Sequence, residues 1–153
     1  MPKREKLSGE PLTILLVEDN PDHAQLMMRN FENHRIANRI IHLTDGEQAL
    51  DYLHRRGEFA DPQDNPRPHL IILDLRMPKI DGLEVLEDIR QDKDLEEIPV
   101  VILSSSDCDP DVARAYEHQV NSYLVKPHDF EKFTKLTDDL AYYCMDLVYY
   151  QLS

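Results

Sequence analysis

Basic side chains are scarce: 17 Lys and Arg stand against 30 Asp and Glu, for a formal net charge of -13. A field of that sign repels phosphate backbones and acidic membrane surfaces, which counts against a nucleic-acid-binding output. Cysteine is scarcer still. Cys108 and Cys144 are too few and too far apart for a disulfide framework or a zinc site, so both are expected as reduced thiols. No signal-peptide apolar core precedes the first strand-like run, and no apolar stretch approaches membrane-spanning length, so a soluble, cytoplasmic protein is expected. There is no internal repeat and no low-complexity tract, and 153 residues make one domain with a sizeable core.

What the chain does contain is a set of short apolar runs that end in chemistry. Leu70-Ile-Ile-Leu73 is bounded by Pro68 on one side and by Pro78 and Gly82 on the other, and Asp74 follows it at once. Continuous apolar runs of this length are the pattern of parallel strands buried on both faces, with Asp74 at the exposed carboxyl end. Ile14-Leu15-Leu16-Val17 repeats the arrangement and ends in Glu18 and Asp19; Asn20 then suits an N-cap and Pro21 a first helical position, with Ala24, Met27, Met28 and Phe31 at helical spacing. Arg39 to Leu43 is the second strand in chain order, and Thr44-Asp45-Gly46 turns into a helix carrying Ala49, Leu50 and Leu53. Gly57 to Pro68, with three prolines, is a surface loop. Leu83, Leu86 and Ile89 mark a helix, Ile98 to Leu103 a strand ending in Ser104-Ser105-Ser106, and Asp109-Pro110 a helix with Val112, Ala113 and Tyr116 inward. Ser122 to Val125 is the last strand, Lys126-Pro127 follows it, and Asp129 opens the last helix. Five strands alternating with five helices predict an α/β fold, a doubly wound five-stranded parallel sheet of order 2-1-3-4-5, flavodoxin-like.

In that order the first and third strands are neighbours, so Glu18, Asp19 and Asp74 converge at the crevice where ligands bind. A lone aspartate at a strand end is ordinarily just solvated; three carboxylates are different. Two like charges about 4 Å apart repel by roughly 4 kcal/mol at an effective dielectric near 20, so the group must protonate, splay or bind a cation. Hard oxygen donors without His or Cys suit Mg²⁺, which retains waters and works beside phosphate. Lys126 offers a point charge and Ser104 a hydroxyl to phosphoryl oxygens, and a carboxylate nucleophile can carry a phosphoryl group as an acyl phosphate.

These residues resemble those of the receiver domain of two-component response regulators, over about Leu12 to Leu140. The resemblance implies Glu18 and Asp19 as the acidic metal pair, Asp74 as phosphoacceptor and metal ligand, and the backbone carbonyl of Arg76 as a further ligand. It implies Ser104 as switch hydroxyl, Tyr123 as switch aromatic, and Lys126 as the conserved-type ammonium joined to Pro127 by a cis bond. Within the family, the Gly57 to Pro68 insertion, Leu73-Asp74-Leu75 with Met77-Pro78-Lys79, and the C-terminal helix are similar to small stand-alone regulators that partner phytochrome histidine kinases. That implies a phosphoprotein that takes its phosphoryl group from such a kinase with Mg²⁺ as cofactor. It is not an enzyme with an external substrate; it assists its own phosphorylation and dephosphorylation. With no output domain following, the readout is expected to be another protein or a dimer.

Arg76 departs from the polar or small residue usual two places after the phosphoacceptor; its guanidinium either points to solvent or pairs with Glu18 or the phosphoryl group, and the pairing is expected to alter phosphoryl lifetime. It also separates this chain from phosphohydrolases resembling haloacid dehalogenases, which need a second aspartate at that position. A pseudo-receiver that binds without phosphorylation is the other alternative. In the last helix Phe133, Leu136, Leu140, Tyr143 and Leu147 form a stripe for the sheet, and Tyr142, Met145, Tyr149 and Leu152 form a second one. The second stripe predicts a homodimer, with residues 1–11 a flexible tail and 12–153 the domain. The seven histidines have no ligand-like spacing and read as ordinary surface imidazoles.

Overall fold

The computed structural model describes residues 12–33, 39–105 and 109–152, with the side chains of 109 and 144–152 left out. The expected tail at 1–11, Ser106, Cys108 and the side chains of Cys144, Met145, Leu147, Tyr149 and Leu152 therefore lie outside the described residues.

Five strands, β1 (Thr13–Val17), β2 (Arg39–Leu43), β3 (Leu70–Leu73), β4 (Val100–Ser104) and β5 (Ser122–Val125), form one parallel sheet in the order β2-β1-β3-β4-β5. The helices are α1 (Pro21–Asn33), α2 (Gly46–Leu53), α3 (Gly82–Gln91), α4 (Asp109–Glu117) and α5 (Phe130–Leu152). Because side chains alternate along a strand, the apolar runs feed two cores at once. Leu15, Val17, Ile71, Leu73, Val100 and Ile102 face α2, α3 and α4, where they meet Leu53, Leu86, Ile89 and Ala115. Ile14, Leu16, Leu70, Ile72, Val101 and Leu103 face α1 and α5, against Met27, Phe31 and Leu140. Between these two helices Asn30 Nδ2 donates to Thr137 Oγ1 at 2.5 Å, which satisfies a buried polar pair.

Caps start the helices where expected. Asn20 Oδ1 accepts from the amides of Asp22 and His23, Asp45 from Gln48 and Asp81 from Glu84. Two glycines are required by close approach. A Cβ on Gly46 would lie 2.0 Å from the carbonyl oxygen of Ile80, and one on Gly82 2.3 Å from that of Asp74. The loop after β3 is thereby clamped between α2 and α3. The Gly57 to Pro68 segment lies on the surface with bonds of its own. It opens with a 3-10 turn, Gly57–Phe59, and Phe59 packs edge-on against Tyr52 at 5.4 Å. Tyr52 Oη donates to the carbonyl of Pro66 at 2.6 Å.

Two local expectations are corrected. β4 spans Val100–Ser104 rather than starting at Ile98, since Pro99 has no amide to give a ladder. On α4 the residues turned inward are Asp111 and Ala115, one helical turn apart, while Ala113 and Tyr116 are exposed.

Candidate functional site

Register builds the site. Val17 pairs with both Leu43 and Leu73, so the residues that follow β1 and β3 emerge side by side. The Glu18 amide donates to the Leu43 carbonyl and the Asp74 amide to the Val17 carbonyl, both at 3.0 Å. On the far side of β3, Ser104 pairs with Val125, and the Lys126 amide donates to the Ser104 carbonyl at 2.7 Å. Four strands, β1, β3, β4 and β5, thus deliver three carboxylates, a hydroxyl and an ammonium to one sheet end.

Glu18, Asp19 and Asp74 each present a carboxylate oxygen within 4.8 Å of the other two, as the sequence led us to expect. Asp19 is exposed, whereas Glu18, Asp74 and Lys126 are buried, so the carboxylate of Asp74 is covered rather than open. What covers it is Lys126, whose Nζ lies 2.6 Å from Glu18 Oε1 and 3.2 Å from Asp74 Oδ2. One ammonium shared by two buried acids leaves an unbalanced negative charge. Burial first, and the charge of Asp74 second, push the Glu18 carboxyl up to about 8 against the opposing pull of Lys126. Uncompensated hard oxygens at the mouth of a buried anionic pair are a donor set that fits Mg²⁺ or Mn²⁺, and no described His or Cys shares the cluster.

The other expected residues divide. Ser104 is fully buried at the end of β4, and Tyr123 packs against the α2/α3/α4 core. The Arg76 amide faces Asp74 Oδ1 at 3.4 Å. Its guanidinium, however, pairs with Asp111 on α4, and not with Glu18. Glu18 is enclosed beneath Lys126, while Asp111, turned toward the site mouth, is the acid within reach. Also corrected is the Lys126–Pro127 bond, which is trans. In this backbone the ammonium already reaches both acids, and X-Pro bonds favour trans by about 0.5–1 kcal/mol. Tyr142, from the expected dimer stripe, is 58% exposed.

Sequence reasoning missed the histidines. His23 Nδ1 lies 3.2 Å from Lys126 Nζ, and its ring stacks on Phe133 of α5 with centroids 4.6 Å apart. His54 meets Asp88 and Asp92, His118 meets Glu87, and His42 Nε2 lies 2.8 Å from the Glu18 carbonyl oxygen. The one available signal was position: His23 follows Asp19 by four residues in the first turn of α1, which points it back at the strand ends. Beside it, a cleft of about 450 Å³ opens between α1 and the start of α5, lined by Asp22, Arg29, His128 and Phe130 among others.

Comparison with known proteins bears on this geometry. The family model described as response regulator receiver domain matches residues 14–138. The chain is 46% identical over 134 residues to FilR2 of Methanothrix harundinacea, named a probable methanogenesis regulatory protein, covering 88% of this chain and 84% of that one. It is similar to the crystal structure of the Mn²⁺-bound form of response regulator Rcp1, from Synechocystis sp., with a TM-score of 0.83, 38% identity and coverage of 89% of this chain and 96% of that one. The phosphorylated cyanobacterial phytochrome response regulator RcpA gives a TM-score of 0.83 at 33% identity, covering 90% and 96% of the two chains.

Proposed function

This chain belongs to the response regulator receiver domain family, and from that premise we propose that it is a signalling switch phosphorylated on Asp74 by the phosphohistidine of a histidine kinase. The observation that carries the reading is the buried Asp74 carboxylate set within 4.8 Å of Glu18 and Asp19 oxygens and 3.2 Å from the Lys126 ammonium. In transfer, an Asp74 oxygen forms the new P–O bond as the P–N bond of phosphohistidine breaks, and the electron pair leaves with the imidazole nitrogen. Glu18, Asp19, Asp74 and the Arg76 carbonyl would hold Mg²⁺, which supplies charge neutralisation for the phosphoryl oxygens. Lys126 turns from Glu18 to a phosphoryl oxygen, and Ser104 donates to another. Hydrolysis reverses the state: water attacks phosphorus, the P–O bond to Asp74 breaks, and the carboxylate and inorganic phosphate are released.

The added charge draws Ser104 and Lys126 toward it, which gives Tyr123, three residues before Lys126 on β5, a reason to move, and shifts the population of the α4-β5-α5 surface. A homodimer through the end of α5, around Tyr142, Met145, Tyr149 and Leu152, is the partner surface we assign to that output. Arg76 in place of an acid two residues after Asp74, paired with Asp111, speaks against a phosphohydrolase that would need a proton donor there. The kinase is proposed to be of phytochrome type, a reading supported by the likeness to RcpA. The likeness to FilR2, named a probable methanogenesis regulatory protein, supports a second reading, a partner in the regulation of methanogenesis. The test is intact mass after incubation with acetyl phosphate and Mg²⁺ in the cytoplasmic pH range. A labile phosphoryl adduct on the wild type and none on Asp74→Asn is expected; a wild type that takes up no phosphoryl group would refute the switch and favour a pseudo-receiver. Phosphotransfer from a phytochrome kinase then separates the two partner readings.

A further inference from the structure

Lys126 has three ammonium protons and three acceptors. Glu18 Oε1 at 2.6 Å and Asp74 Oδ2 at 3.2 Å account for two, and His23 Nδ1 at 3.2 Å takes the third. An ammonium with only two partners on one side is able to swing about its last torsion; a third acceptor from α1 fixes its direction. His23 is itself fixed. Its ring lies on Phe133 of α5, near parallel at 29°, and Phe133 is buried. For Nδ1 to accept from an ammonium the imidazole must be neutral with its proton on Nε2, on the side away from Lys126. Burial and the adjacent ammonium both lower its pKa, which favours that neutral form.

We propose that His23 is a positioning residue for phosphoryl transfer, its Nδ1 aiming the Lys126 ammonium at the oxygens of Asp74 and of the incoming phosphoryl group. The assignment rests on Asp74 as phosphoacceptor. It also explains why a polar residue is stacked on the α5 core next to the site: Phe133 is the back wall that holds the imidazole plane, so α5, through one ring, sets the geometry of the site's cation.

Two substitutions of similar size separate the acceptor from the packing. His23→Asn places Oδ1 close to the position of Nδ1 and keeps an acceptor; His23→Leu puts a methyl there. The rate of phosphorylation by acetyl phosphate with Mg²⁺ is measured by intact mass for wild type and both variants, with thermal unfolding as a check that each is folded. His23→Leu is expected to be slower by about tenfold, the worth of one hydrogen bond to a charged group, with His23→Asn restored to within about twofold of wild type. Equal rates in all three overturn the proposal, as does an equal loss in both variants, which would make the ring's packing on Phe133 the cause. A wild type that forms no adduct overturns the reading of Asp74 itself, a result the variants cannot imitate.

Discussion

Replacing Glu18 by glutamine tests the charge balance of the site directly. In the folded chain burial and Asp74 raise the Glu18 carboxyl from its usual 4.5 to about 8. The raised pKa means that between those values the folded state holds a proton that the unfolded state has lost. Stability from this group is therefore full below pH 4.5 and drains away as pH rises toward 8, by up to about 1.4 kcal/mol per pH unit. Glu18 is 2% exposed, so solvent screens little of this, although sharing of the proton with Asp74 makes about 5 kcal/mol over the window a ceiling. Glutamine keeps the shape and can still accept from the Asn20 amide, which Glu18 Oε2 does at 3.2 Å, but it does not titrate. Urea unfolding of both proteins in EDTA from pH 5 to 8.5 is the assay. The difference should favour Glu18→Gln increasingly toward pH 8, by several kcal/mol, and shrink toward pH 5. A difference that stays flat across that range would refute the reasoning, because contributions from groups that do not interact with Glu18 cancel in it. Adding Mg²⁺ at pH 8 should stabilise wild type more than the variant, since a ligand stabilises only the state that binds it.

Arg76→Asn should cost less than about 1 kcal/mol of stability, because the pair with Asp111 is half open to solvent, the Arg side chain being 59% exposed. It should nonetheless shorten the lifetime of the phosphoryl group about threefold by removing a cation and a long side chain from beside Asp74, a change that unaltered dephosphorylation kinetics would disprove. In sedimentation equilibrium at micromolar concentration the chain should run at twice 17.9 kDa, with Tyr142→Glu weakening the dimer at least tenfold; a monomeric wild type would remove the α5 interface.

Legibility in this chain follows distance along it. β1 and β3 were readable to the residue because each apolar run is cut at both ends by a polar, proline or turn residue, and a strand buried on both faces tolerates no interruption. The adjacency of β1 and β3 was readable too, from the 2-1-3-4-5 order, and the register found in the structure sets Glu18 beside Asp74. The start of β4 was misread because Pro99 gives the ladder no amide although Ile98 before it packs on the core, and the inward face of α4 because apolar residues are tolerated at exposed positions, so Ala113 and Tyr116 carry little information.

Polar partners are harder, because an exposed guanidinium or imidazole has many acids within its reach. Arg76 and Asp111 are 35 residues apart and His23 and Lys126 are 103 apart, so neither pair leaves a local pattern. Yet the need for such partners was legible even where their identity was not. Three acids meeting one lysine at a sheet end leave an ammonium with a proton to place and an excess of negative charge to offset. The fold meets the first demand with an imidazole from α1 held by a ring from α5, which ties the two helices on one face of the sheet to the cation of the proposed phosphoryl transfer. The second demand is met without metal by the proton that the raised Glu18 carboxyl holds, a proton that a divalent cation at the three acids would displace.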